Sequence, residues 1–176
     1  MSTPGSSLAT RRKPKLTVPQ AGIVGHGSHA GTAIIAVMSI TLRHATSADV
    51  AHILAFWQVA AENTNRSDSA HALQELISRD PQAVLIAVHN EQIVGSVIAG
   101  WDGWRCHLYR FAVDPALRRQ GIGRMLLDAA EQRFAALGGR RADAMVLNGN
   151  ELGIKVWTAA GYVQETNCAR WVKPLA

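Results

Sequence analysis

Apolar and polar positions follow no helix or strand period over residues 1–37, a stretch rich in Gly, Ser, Thr, Ala and Pro that reads as a disordered extension. From residue 38 onward the pattern becomes regular. Ile40-Thr41-Leu42-Arg43 alternates and predicts a short strand. Thr46-Ser47-Ala48-Asp49 resembles a capping box and predicts a helix to about Ala61, with Ala55, Trp57 and Val59 expected in the core. The polar run Asn63 to Asp68 reads as a loop before a helix from about Ser69 to Ser78. Two apolar runs, Ala83 to His89 and Gln92 to Ala99, flank Asn90-Glu91 and predict a hairpin. His107 to Val113 predicts a further strand. Gly121 to Leu137 predicts an amphipathic helix, with Ile122, Leu126, Ala129 and Phe134 at helical spacing and Gly138-Gly139 as its stop. Ala144 to Leu147 reads as a strand, Glu151 to Ala160 as a helix, and Tyr162 to Val172 as one or two last strands.

This order predicts a mixed sheet with helices on both faces, in the α/β or α+β class. With 176 residues, 48% of them hydrophobic, the chain is long enough for one domain with a core, placed at 38–176. The longest apolar run, Thr32 to Ile40, is interrupted and falls short of the roughly 18 residues of a membrane helix, so no membrane partner is expected. Cys106 and Cys168 are too few for a disulfide framework, and a reducing cytoplasmic setting is the default expectation. Arg11, Arg12, Lys13 and Lys15 supply four of the five net positive charges, leaving the domain near neutral, which argues against a nucleic-acid-binding footprint. That basic cluster fits a targeting or polyanion-binding arm, and Met38, just before the first strand, fits an over-extended gene start.

The chemistry concentrates in Arg118-Arg119-Gln120-Gly121-Ile122-Gly123-Arg124, between the His107 strand and its following helix. The first N–H groups of a helix lack intrahelical partners, and the helix dipole is positive at that end. Gly121 and Gly123 have no Cβ to block an approaching anion, and the arginines add charge, so the segment reads as a phosphate-binding turn. No Lys-Ser/Thr follows the second Gly, which excludes a P-loop, and the spacing is not the G-x-G-x-x-G of a dinucleotide site.

With Arg118, Gly121 and Gly123 at its three defined positions, the segment resembles the Q/R-x-x-G-x-G/A hallmark of the GNAT superfamily of acyl-CoA-dependent N-acyltransferases. A second block is similar too: Asn150, Trp157 seven residues later, then Gly161-Tyr162, where the family reads Asn, Tyr and Gly-Phe. Gly100-Trp101-Asp102-Gly103 resembles small bacterial members with a G-[YF]-D-G hairpin. The resemblance implies a mixed, mostly antiparallel sheet split like a V between its fourth and fifth strands. It also implies acetyl-CoA as co-substrate, no metal, and direct transfer of an acetyl group to a small-molecule or peptide amine.

Carried onto this chain, the resemblance places the pantetheine and thioester against the backbone of Phe111, Ala112 and Val113. The diphosphate falls on the amides of Gln120, Gly121, Ile122, Gly123 and Arg124, with Arg118 beside it; Arg119 either reaches the adenosine phosphate or is solvated, and Asn150 and Trp157 fall on the pantetheine arm. Trp157 stands where many members have a Tyr that protonates the leaving thiolate; an indole N–H can donate a hydrogen bond but is no proton source near neutral pH. A carboxylate of some members' fifth strand corresponds to Met145. The Glu that the histone-modifying branch carries on the fourth strand corresponds to His107, whose residue type is competent as a base, with Tyr109 next on the same strand face. Trp101, Asp102 and Trp104 suit a cationic acceptor, a homodimer contact or half-buried packing. Rival readings are a transferase of a longer acyl-CoA and, given apolar residues at the usual acid and base positions, a non-catalytic acyl-CoA-binding module.

Overall fold

Five strands form one sheet in which neighbours in space are neighbours in sequence: β1 (Thr41–His44), β2 (Val84–His89), β3 (Gln92–Trp101), β4 (Cys106–Val113) and β5 (Ala142–Ala144). The computed structural model describes residues 39–61 and 68–173. The expected disordered arm at 1–37 and most of the Asn63 to Asp68 loop lie outside the described residues. Pairs β1–β2, β2–β3 and β3–β4 are antiparallel; β4–β5 is parallel. The β2–β3 hairpin turns on Asn90 and Glu91, both at positive φ (47° and 65°), the backbone of a two-residue turn whose twist matches that of the strands.

Alternation divides β2 between two cores. Val84 and Ile86 join Ile53, Trp57, Leu73 and Ile77 from α1 (Val50–Ala60) and α2 (Ala70–Arg79) on one face. Leu85 and Ala87 join Ile122, Leu126, Leu127, Ala130 and Phe134 of α3 (Ile122–Ala136) on the other. The sheet is thus covered on both faces, as the alternation of its strands requires. Arg133 ties α3 to β3 and to the end of α2: its Nε donates to the Ala99 carbonyl at 3.3 Å and its guanidinium pairs with Asp80.

Three expectations are corrected. The buried stripe of α1 is Val50, Ile53, Trp57 and Ala60, while Ala55 is exposed and Val59 is 76% exposed. The helical phase is set by Trp57, and Ala55 and Val59, each two positions from it, fall on the solvent side. The fifth strand occupies Ala142–Ala144 instead of Ala144 to Leu147, because only there does the chain meet Cys106–Leu108. Residues 162–173 contain no strand. At the capping site, the Asp49 carboxylate accepts from the Thr46 N–H (2.8 Å) and hydroxyl (2.9 Å), and a short 3-10 turn (Ser47–Asp49) precedes α1. Arg43 grips the same carboxylate through two hydrogen bonds and holds it well below the usual carboxylate range.

Candidate active site

β5 accompanies β4 for three residues and then leaves it: the register ends at Leu108 opposite Ala144. Beyond that point β4 continues to Val113, paired with β3 alone. The space between the diverging chains is a cleft of about 630 Å³. Leu108 to Val113 form one wall, Met145 to Leu147 with Asn150, Val156 and Trp157 the other, and the glycine turn closes one end. Backbone N–H and C=O groups on the β5 side of β4 thus face a cavity with no strand to satisfy them, an arrangement suited to an extended ligand that carries amides.

At the glycine turn the two glycines serve different ends. Gly121, the N-cap of α3, has φ +86° with open space around its missing Cβ, so glycine is required there by backbone conformation. A Cβ on Gly123 would stand 3.0 Å from the Phe111 ring, so that glycine lets α3 close onto β4. Arg118 Nε donates to the Val113 carbonyl (3.3 Å), fixing the turn to the strand end, and Arg124 pairs with Asp128 one helical turn on. Gln120 does not line the cleft, and the Ile122 side chain lies in the α3 core, so any contribution from these two comes from their amides. Arg110, Arg118, Arg119, Arg124 and Arg170 line the cleft, and no carboxylate does so among the described residues. A phosphate-bearing ligand meets a cationic lining that also has the positive end of a helix.

Across the cleft, α4 (Glu151–Ala159) starts at Asn150, which caps it by accepting from the Gly153 N–H at 2.7 Å while lining the cavity. Trp157 packs between Phe111 (centroids 5.2 Å apart) and Tyr162 (4.9 Å, edge-on). The Tyr162 hydroxyl bonds Glu131, and burial together with that carboxylate pushes its pKa up, so it is no substitute acid for the missing Tyr.

The expected base and acceptor residues divide between the cleft and its flank. Tyr109 lines the cleft, and desolvation, then Asp143, raises its pKa, which keeps the phenol protonated. His107 is absent from the lining; its ring centroid is 5.9 Å from that of Tyr109. Its Nδ1 lies 2.8 Å from Asp143 Oδ1, and its Nε2 4.0 Å from Asp102 Oδ2. An Nδ1–H donated to Asp143 leaves the Nε2 lone pair available. Asp102 is engaged at home, accepting from the Trp104 and Arg105 N–H groups at 2.8 and 2.7 Å. Arg105 covers the Trp104 ring at 4.6 Å, and Trp101 packs on the α3 core. None of Trp101, Asp102 and Trp104 lines the cleft. Asp143 and Arg110 carry no signal in the sequence, whereas Met145 stands out there only as an apolar residue at a carboxylate position and is found in the cleft wall; an Asp in a short Ala-rich strand is silent until that strand is seen beside His107.

A family model described as acetyltransferase (GNAT) family matches residues 48–162. An acetyltransferase of Pectobacterium atrosepticum is 28% identical over 114 residues, 65% of this chain and 81% of that protein. Among solved structures, the PaiA N-acetyltransferase of Thermoplasma acidophilum in complex with coenzyme A superposes with a TM-score of 0.64 at 18% identity, covering 73% of this chain and 92% of that one. The ribosomal-protein-alanine N-acetyltransferase of Brucella melitensis gives 0.57 at 29%, covering 69% and 83%.

Proposed function

Because the chain belongs to the acetyltransferase (GNAT) family, we propose that it transfers the acetyl group of acetyl-CoA directly to a primary amine within a ternary complex, the domain at 38–176 carrying the activity. The observation that carries this reading is the split sheet: a β4 edge left unpaired past Leu108 and running into a basic glycine turn. The Thermoplasma relative was solved with coenzyme A, and the same kind of ligand suits the lining here.

The amides of Gly121, Gly123 and Arg124, with Arg118 and Arg119, take the diphosphate. The backbone of Phe111, Ala112 and Val113 takes the pantetheine arm, and an amide there stabilises the oxyanion as the amine attacks the thioester carbon. Asn150 and Trp157 close the arm from the α4 side. As the neutral amine forms the N–C bond and the C–S bond breaks, the proton shed by that now-cationic nitrogen passes through water to Nε2 of His107, whose ring Asp143 orients, and CoA leaves as the thiolate. Tyr109, protonated and in the cleft, is the hydrogen-bond donor nearest this path on β4 and the next candidate for proton transfer. Trp157 delivers no proton; the departing thiolate is a tolerable leaving group without an acid.

The acceptor is a small-molecule or peptide amine, the Gly100-Trp101-Asp102-Gly103 hairpin points to the small bacterial branch with G-[YF]-D-G, and the working compartment is the cytoplasm. No helix among the described residues is long and apolar enough to cross a membrane. Release of free CoA thiol is the deciding measurement, with a panel of amino acids, polyamines, aminoglycosides and peptides, run with acetyl-CoA and longer acyl-CoAs. Turnover with acetyl-CoA is expected for at least one amine; binding without release for every pair would sink the reading.

A further inference from the structure

The alternation of β4 breaks at one point. Cys106 and Leu108 face the α3 core, and an unbroken strand would present Arg110 and Ala112 there next; Phe111 and Val113 pack on that face instead. The switch lies opposite Val97. Ser96 pairs with Ala112 and Ile98 with Tyr109, so Arg110 and Phe111 together face one residue of β3. This is a bulge, and a one-residue slip sends every later side chain to the opposite face. Arg110 takes φ +47° to make it. Such a conformation costs a non-glycine residue roughly 1–2 kcal/mol and persists where the surroundings over-determine it.

Three elements supply that constraint. Ser96, fully buried in β3, donates its hydroxyl to the Arg110 carbonyl at 2.9 Å. The same hydroxyl oxygen accepts from Trp57 Nε1–H of α1, also at 2.9 Å. The Arg110 guanidinium lies 5.4 Å from the Trp57 ring centre and pairs with Asp68, its Nε 3.1 Å from Oδ1. A hydroxyl and an indole N–H at the base of a core are costly unless both are bonded. Ala and Phe would fill these sites without that cost, so the polar pair points to a task beyond packing.

We propose that Ser96 and Trp57 are positioning residues that lock the β4 bulge and so set Phe111 to Val113 against the thioester-bearing arm of the co-substrate. The inference rests on the transferase reading above. With the bulge in place, the Phe111 ring reaches Gly123 and Trp157, linking strand, phosphate turn and α4. Without it, Phe111 would point to the α1 face and the amides that follow would be rotated away.

The test compares Ser96→Ala, Trp57→Phe, their double variant and Ser96→Thr, which retains the hydroxyl. With the best amine of the panel, kcat should fall on the order of 10-fold in Ser96→Ala, the scale of the one bond of its two that reaches the Arg110 carbonyl. Trp57→Phe should fall somewhat less, the double variant no further than Ser96→Ala, and Ser96→Thr should recover most of the rate. Acetyl-CoA affinity should stay within about twofold, because the phosphate turn is held by its own contacts. Amide hydrogen exchange should quicken at residues 110–113 while α3 is unchanged. Lower melting temperatures with kcat, KM and exchange at 110–113 all unaltered would overturn the proposal and leave a packing role. A wild type that turns over no amine would overturn the transferase reading instead, and the exchange result would still decide the lock.

Discussion

Between Cys106 and Leu108, β4 is hydrogen-bonded to β3 on one side and β5 on the other, whereas from Arg110 to Val113 its β5 side is bare. At the doubly paired end the backbone is spent in the sheet, so chemistry there has to come from side chains, and His107 with Asp143 is what the chain offers. At the singly paired end Arg110 is held by Asp68 and the side chains that follow are Phe, Ala and Val, so the backbone carries the free donors and acceptors. On the proposed reading, one strand thus offers an imidazole at one end and a backbone-lined groove at the other, without one interfering with the other.

Each end can be broken separately. Gly121→Glu is expected to have the largest effect, with acetyl-CoA affinity falling at least about 100-fold, because it puts a like charge and a strained backbone at the phosphate turn. Gly121→Ala, which keeps the strain and omits the charge, should lose only about 5- to 30-fold on the scale of 1–2 kcal/mol. Calorimetry on both gives the answer, and equal affinities for Gly121→Glu and wild type would remove the diphosphate from this turn. At the opposite end, His107→Ala should reduce kcat/KM on the order of 10²–10⁴-fold with acetyl-CoA affinity intact, and should lose the limb of the pH–rate profile that depends on the imidazole. Asp143→Asn should give a smaller loss on the same limb. Full activity in His107→Ala would pass the proton to Tyr109 or to a water chain.

Asp49 offers a control remote from both ends. Its carboxyl is held low chiefly by Arg43, so its folded pKa lies below the unfolded value of about 3.9. The sign follows: the contribution is fully present above about pH 4 and is lost as pH falls through the folded value. Asp49→Asn should lower stability at neutral pH by roughly 1–2 kcal/mol and flatten the acid side of the stability curve, leaving kcat at neutral pH alone. The smallest change is expected from Trp157→Phe, whose rate should stay within about threefold of wild type, since the indole packs against Phe111 and Tyr162 and gives up no proton. A large kcat loss at constant acetyl-CoA affinity would assign Trp157 a direct part in the chemistry.

Local signals were the legible ones. Gly121 announces its turn because the conformation it permits is a property of the residue itself, and Gly123 because it lacks a side chain where α3 closes on β4; the Asn90-Glu91 hairpin is fixed by its two flanking runs. The core place of Trp57 is legible, but the exposure of Ala55 and Val59 is not, since composition alone leaves the phase of a short apolar helix open. The β5 boundary depends on where the chain touches Cys106–Leu108, a contact that no local pattern encodes. The bulge stayed hidden for a sharper reason. The left-handed residue that forms it is Arg110, where a glycine would have drawn notice, and its supports Ser96 and Trp57 are 14 and 53 positions away. His107 stands out in the sequence, whereas its partner Asp143 belongs to β5, whose limits no local pattern gives.

Cys106 is 1% exposed, and a Cβ added to Gly139 would sit 2.3 Å from its sulfur, so the α3 terminus is folded down onto the thiol. Burial, with Asp102 and Asp143 nearby, raises its pKa and suppresses the thiolate that alkylating reagents attack. Cys168, exposed and two residues from the cleft-lining Arg170, has no such cover. The native chain therefore carries its own site-specific handle. A fluorophore on the one exposed sulfur sits two residues from the cleft lining without any engineered cysteine, and the appearance of a second reactive thiol marks the moment the core opens.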